Sequence, residues 1–299
     1  MPLGDPQYAD LPNGIRLAWE SVGEGEPLLL VMGLGAQMVG WRLGFVEALV
    51  DRGFRVVRFD NRDIGQSTRL CDATVPPVMP SMMRAIAKRP VDAPYTLSDM
   101  AADTAGLIEG LGIEQAHVVG ASMGGMIAQH LALEHPQRVA TLTSVMSGPG
   151  SVRHMLGKPR AIRTLLSTPP TTREEAQDHT VRLFRAIGGR LPQDEAQLRR
   201  TAGIAWDRGP HPEGFARQWA AIMASGSRLR ALRTLEVPTL VVHGTLDPLV
   251  PPRAGRATAE AIPGAKMLWV DGMGHDFAPA AIDRMLPALL DHMERHPTR

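Results

Sequence analysis

Cysteine occurs once in this chain of 299 residues, at position 71. One thiol excludes a disulfide within the chain and a multi-cysteine metal site, and it fits a cytoplasmic protein. Lysine is almost as scarce, appearing only at Lys88, Lys158 and Lys266, so arginine supplies most of the 32 basic residues. These stand against 31 acidic residues for a net charge of +1, which leaves no field to recruit nucleic acid or an anionic membrane. No run approaches the roughly 18 consecutive apolar residues of a membrane span. The opening stretch MPLGDPQYADLPNG lacks the charged and apolar regions of a secretory leader. What is present is ordinary globular composition, 44% hydrophobic and 21% charged, enough for one large core or a core with a smaller lobe.

Short apolar runs alternate with helical patterns. Residues 15–21, 28–32, 54–59, 117–120, 139–146, 239–243 and 266–270 read as strands. Residues 39–52, 96–111, 123–134, 253–261 and 278–294 read as helices, the last with Pro287 as a kink or break. Thr96-x-x-Asp99 is a variant capping box and Gly112 a stop. This alternation predicts an α/β fold, a mostly parallel central sheet with helices on both faces and catalytic groups at the strands' carboxyl ends. Residues 72–94, rich in Pro and Met, show no clean period. The stretch from 148 is long, mostly helical in pattern and carries about fifteen basic against eight acidic residues. It predicts a helical cap over 148–235 inserted into a core of 1–147 and 236–299, the alternative being a separate second domain. The cap's arginines read more readily as a solvated surface than as an anion site.

Gly120-Ala121-Ser122-Met123-Gly124 stands between a strand pattern and a helix pattern. A serine on a sharp strand-to-helix turn needs small neighbours, and it meets the N–H groups and positive dipole end of the following helix. The alternative is a glycine-rich turn with an idle serine. A nucleophilic serine requires a base, and the base an orienting carboxylate. Asp247 follows one strand pattern and His275 lies in the loop after the next, giving the chain order Ser, Asp, His. His243 and His117 read as packed strand residues, and His130 and His135 flank the far end of the elbow helix. Asp271 and Asp276 compete with Asp247, though adjacency to His275 makes good side-chain geometry hard. For an oxyanion hole, the backbone N–H of Met123 is one candidate and that of Leu34, in the loop Met32-Gly33-Leu34-Gly35, the other. Trp41, Met79, Met82, Met83, Met155, Trp206 and Trp219 are candidates for an apolar substrate pocket, with core packing as the alternative for each.

The elbow GASMGG, HGTLDPLVP around Asp247, GMGHD around His275 and FDNRDIGQS from Phe59 together resemble the α/β-hydrolase superfamily over residues 10–147 and 236–295. With VMGLGAQ included, the pattern is most similar to a bacterial esterase subgroup that includes aclacinomycin methylesterase. The resemblance implies a bracing role for Asp60, Arg62 and Ser67; Asp63 stands where the pattern carries glycine. It also departs at Met32-Gly33, where many relatives carry His-Gly, so the hydrogen-bond support of that loop must differ. Serine at the elbow argues against the aspartate-dependent chemistry of the superfamily's epoxide hydrolases and dehalogenases. The expectation is a carboxylesterase or methylesterase acting on small to medium apolar esters, without metal or cofactor. The alternatives are C–C bond hydrolysis, amide or peptide cleavage, cofactor-free perhydrolysis, a slow ligand receptor and a non-catalytic scaffold. Monomer and homodimer are equally compatible with the sequence.

Overall fold

The computed structural model describes residues 6–298, so the first five residues of the opening stretch lie outside it. Eight strands form one sheet: β1 (Gln7–Asp10), β2 (Arg16–Val22), β3 (Glu26–Val31), β4 (Phe54–Phe59), β5 (Ala116–Ala121), β6 (Val139–Val145), β7 (Thr239–Gly244) and β8 (Lys266–Val270). Their order is β1-β2-β4-β3-β5-β6-β7-β8. The β1–β2 and β2–β4 pairs are antiparallel and the rest parallel. The helices are α1 (Leu43–Val50), α2 (Val78–Ile86), α3 (Leu97–Gly110), α4 (Met123–Glu134), α5 (Val152–Met155), α6 (Pro159–Leu165), α7 (Arg173–Ile187), α8 (Glu195–Asp207), α9 (Pro212–Ser225), α10 (Pro252–Ala261) and α11 (Pro279–Glu294).

Alternate residues of each central strand feed two cores. Leu29, Val31, Val118 and Leu142 pack under α3 and α4 on one face. Leu28, Leu30, Val119 and Val242 pack under α1 and α11 on the other. Burial on both faces is why these strands read as unbroken apolar runs. The capping box at Thr96 and Asp99 forms in full, and Gly112 takes φ 66° after α3.

Three expectations change. The pattern over 39–52 divides into a 3-10 turn at Met38–Gly40 and α1, because the Met38 N–H is drawn to the Asp60 carboxylate at 2.7 Å. Residues 78–86, read as patternless, form α2: Pro80 sits in its first turn, where no intrahelical N–H is needed. Pro287 does not end the last helix; α11 runs through it, with the proline on its exposed side. Helices α5–α9 lie between β6 and β7, in the stretch expected to be a cap.

Candidate active site

The turn from β5 into α4 places Ser122 at φ 55° and ψ −118°, a backbone conformation few side chains adopt. Neighbouring glycines make room for it. A Cβ on Gly120 would overlap the Gly124 carbonyl, and one on Gly124 would overlap the Val31 carbonyl. The turn is fastened from outside. The Ser122 N–H donates to the Val145 carbonyl at 2.9 Å, and its own carbonyl accepts from the Ser147 hydroxyl at 2.7 Å. No local pattern in the sequence marks Ser147; it meets the elbow only in the fold, where a Cβ on Gly125 would press on it.

His275 lies between Ser122 and Asp247. Its Nδ1 is 2.7 Å from Asp247 Oδ2 and its Nε2 is 2.9 Å from Ser122 Oγ. A carboxylate can only accept, so Nδ1 carries the proton and Nε2 offers its lone pair to the serine hydroxyl. Asp247 is 2% exposed and His275 7%. The other carboxylate oxygen of Asp247 accepts from the Leu249 and Val250 N–H groups, each at 2.9 Å, which fixes the side chain from behind. These donors also escaped the sequence reading, although an Asp-Pro turn signals such backbone capture. The His275 N–H donates to the Ile187 carbonyl at the end of α7 at 2.8 Å.

The competitors are engaged elsewhere. Asp276 accepts from the Gly189 and Ala278 N–H groups, and Asp271 from the Thr245 hydroxyl. His243 donates from Nε2 to the Val250 carbonyl at 2.8 Å, and burial holds its pKa below the usual imidazole range. His117 bridges Thr141 and Glu26, and His130 pairs with Glu134.

Leu34 and Met123 both border the space in front of Ser122. Gly33 lets the loop after β3 approach, because a Cβ there would lie 3.2 Å from the Ala121 carbonyl and from Ser122 Cβ. In place of a histidine at position 32, side chains from two directions hold this loop. Asn61 Nδ2 donates to the Met32 carbonyl at 3.0 Å. Gln218, on α9, accepts from the Gly35 N–H at 2.9 Å while its own amide donates to the Arg62 carbonyl at 2.8 Å.

The FDNRDIGQS stretch braces the same region. Arg62 pairs with Asp103 in a buried, bidentate contact. Ser67 donates to the Asp60 carbonyl at 2.6 Å and accepts from the Ala18 N–H at 2.9 Å. Asp60 accepts from Met38 N–H and from Arg208, and Arg208 also donates to Gln37. Asp63 receives Arg217 of α9 through two hydrogen bonds of 2.8 and 2.9 Å. Burial alone would raise the Asp63 pKa; Arg217, the Leu70 N–H and the Tyr95 hydroxyl outweigh it and hold the carboxylate low. The arginines of 148–235 are therefore not all a solvated face: Arg217 and Arg228 are buried and Arg208 nearly so.

A cavity of about 1920 Å³ opens in front of Ser122, walled by the loop after β3, by α2 and by α6–α9. Met79, Met82, Met155, Trp206 and Trp219 line it. Trp41 does not. It is 1% exposed and packs on Phe45 and Phe277 within the core, because the break before α1 turns its indole inward. Met83 does not either; it is 57% exposed, one residue past Met82 and so on another side of α2. Among the described residues no group of three or more His, Cys, Asp or Glu is placed to hold a metal, and no helix is long and apolar enough to cross a membrane.

A family model described as alpha/beta hydrolase fold matches residues 26–278. A rhodomycin D methylesterase from Streptomyces peucetius is 30% identical over 289 residues, covering 89% of this chain and 90% of that protein. A 2-hydroxymuconate semialdehyde hydrolase from a Pseudomonas species is 30% identical over 273 residues, covering 88% and 84%. A solved meta-cleavage product hydrolase from Pseudomonas fluorescens superposes with a TM-score of 0.73 at 21% identity, over 97% of this chain and 98% of that one, a likeness of fold.

Proposed function

The chain belongs to the alpha/beta hydrolase fold family, and from that premise we propose that it is a serine hydrolase cleaving carboxylic esters through an acyl-enzyme. The observation that carries this reading is His275 held at 2.9 Å from Ser122 and 2.7 Å from Asp247. Ser122 Oγ attacks the ester carbonyl carbon as His275 Nε2 takes its proton. Asp247 steadies the imidazolium. The carbonyl oxygen, now negative, is held by the N–H groups of Leu34 and Met123. Collapse expels the alcohol, which receives the proton from His275. Water, deprotonated by His275, then attacks the acyl-enzyme and releases the acid and Ser122. No metal or cofactor enters these steps. Segment 148–235 acts as the cap over this site, and Met79, Met82, Met155, Trp206 and Trp219 form the pocket that seats an apolar small-molecule ester. The single cysteine suits a cytoplasmic enzyme.

The test is hydrolysis of p-nitrophenyl acetate, butyrate, octanoate and laurate by the wild type and by Ser122→Ala. The expected outcome is turnover by the wild type and a loss of about 10⁴-fold or more in the variant. Turnover surviving in Ser122→Ala would assign the wrong nucleophile. The likeness to the 2-hydroxymuconate semialdehyde hydrolase favours a second reading, hydrolysis of a C–C bond next to a ketone by the same residues. Wild-type turnover of a vinylogous diketone, with none of the esters cleaved, would select it.

A further inference from the structure

His243 occupies a place where an apolar side chain would pack at a smaller cost in free energy. It lies near the end of β7, wholly buried, and its Nδ1 has no partner among the described residues. A buried ring nitrogen left in that state is destabilising, and a leucine would avoid it. The ring is also locked in position. A Cβ on Gly255 of α10 would fall 2.4 Å from Nδ1, and Trp269 of β8 meets the ring edge to face with centroids 6.2 Å apart. What the histidine supplies is its other nitrogen. Nε2 lies 2.8 Å from the Val250 carbonyl, which can only accept, so the proton is on Nε2.

Val250 is at the far end of the loop that carries Asp247. Its N–H donates to Asp247 Oδ1 at 2.9 Å, beside that of Leu249. One side chain at the end of β7 therefore closes the loop 244–249 from the opposite side. His243 Nε2 also lies 3.7 Å from Asp247 Oδ2, the oxygen that faces His275 Nδ1 at 2.7 Å. That is too long for a hydrogen bond, and the N–H is spent on Val250. We propose that His243 is a positioning residue: it fastens the Val250 end of the Asp247 loop and so holds the carboxylate in line with His275. The proposal rests on the serine-hydrolase reading of Ser122, Asp247 and His275. Without the Nε2 donor, the buried Val250 carbonyl is left unsatisfied and the loop relaxes to find it a partner. The Val250 N–H then leaves Asp247, and the carboxylate is free to rotate off His275. A base whose orienting group has turned away takes the serine proton poorly, while the apolar walls bind substrate as before.

The experiment compares the wild type with His243→Leu and with His243→Gln, which keeps an N–H donor at similar reach. Two readouts are taken: kcat and KM on p-nitrophenyl butyrate, and the low-field proton resonance of His275 Nδ1–H, assigned by its loss in Asp247→Ala. His243→Leu should lower kcat by about 10–10²-fold with KM within about threefold of the wild type, and its resonance should move upfield or vanish. His243→Gln should regain about fivefold or more of that kcat and restore the resonance. A leucine variant with wild-type kcat and resonance, equal losses in the two variants, or a rise in KM alone would each overturn the proposal. A further measurement needs no substitution. In wild-type protein isotopically labelled at the histidine nitrogens, His243 must carry its proton on Nε2; a proton on Nδ1 would overturn the proposal even where His243→Leu does not fold. A resonance that depends on His243, in protein whose wild type cleaves no ester, would keep the positioning role and remove the hydrolase reading. Ester turnover that His243→Leu leaves unchanged would do the reverse.

Discussion

Asp63 holds φ at 67°, where the superfamily's pattern carries glycine, and its carboxylate is buried against Arg217. The strained backbone, of order 1–3 kcal/mol, is tolerated because the carboxylate ties the loop after β4 to α9. Removing the carboxylate relieves the backbone but strands a buried guanidinium, which costs about 3–5 kcal/mol. Asp63→Gly should therefore lower the unfolding free energy by roughly 2–4 kcal/mol, the backbone relief offsetting part of the loss. Asp63→Gly combined with Arg217→Leu should lose less than half as much, because no charge is left unpaired. Urea unfolding of the three proteins decides the matter; equal losses in single and double variants would mean that the ion pair is not what Asp63 supplies. The sequence showed the departure at position 63 but not its cause. The partner lies 154 residues away, and in a segment with an excess of arginine nothing in the spacing distinguishes a buried guanidinium from a solvated one.

Among the elements, strands and helices with a clean apolar run or repeat were legible, and β1 and α2 were not. β5 and α4 announce themselves by an apolar run, a glycine-spaced serine and a helical repeat, and α4 starts and stops at the residues read from the pattern. β1 escaped because Tyr8 and Asp10 on it are exposed, so no burial alternation is written into it. α2 is hidden because a proline signals a break everywhere except in a helix's first turn, where Pro80 falls. α11 carries a consequence for pH. His292 on its inner side is 2% exposed, and burial together with the charge of neighbouring His296 pushes its pKa down to about 4. An unfolded histidine titrates near about 6.5, so between those values the unfolded chain binds the extra proton. The stability His292 contributes is present above about pH 6.5 and is lost as the pH falls towards 4. His117 and His243 are displaced in the same direction by burial. The melting temperature should thus fall from pH 7 to pH 4, and His292→Gln should flatten that fall by roughly 2–6 °C. A variant whose melting curve tracks the wild type at every pH would show that α11 opens before His292 is titrated.

At the scale of the molecule, the loops that border the candidate site are tied to helices α7–α9. That Ser122, Asp247 and His275 would meet was legible because each follows a strand pattern and so falls at the same edge of a parallel sheet. The clasp was not, since it joins positions that no local pattern links. Ile187 at the end of α7 anchors the His275 backbone, Arg208 after α8 anchors Asp60 and Gln37, and Gln218 on α9 anchors Gly35 and Arg62. On the proposed mechanism Gln218 matters most, because its oxygen takes the Gly35 N–H, next to that of Leu34, and so holds the loop proposed to bind the oxyanion. In Gln218→Leu the Gly35 N–H and the Arg62 carbonyl lose their partner, and the loop is free to turn away from the oxyanion. An oxyanion donor displaced by as little as about 1 Å costs up to about 10²-fold in rate, whereas ground-state binding depends on the apolar walls and changes little. Gln218→Leu should accordingly reduce kcat on p-nitrophenyl butyrate by about 10–10²-fold with KM within about threefold of the wild type. Gln218→Glu should recover part of the rate, since it keeps the acceptor for Gly35 while losing the donor to Arg62. A rise in KM with kcat intact would place Gln218 in substrate binding instead, and rescue failing in Gln218→Glu would mean that the bond to Arg62, not that to Gly35, positions the loop.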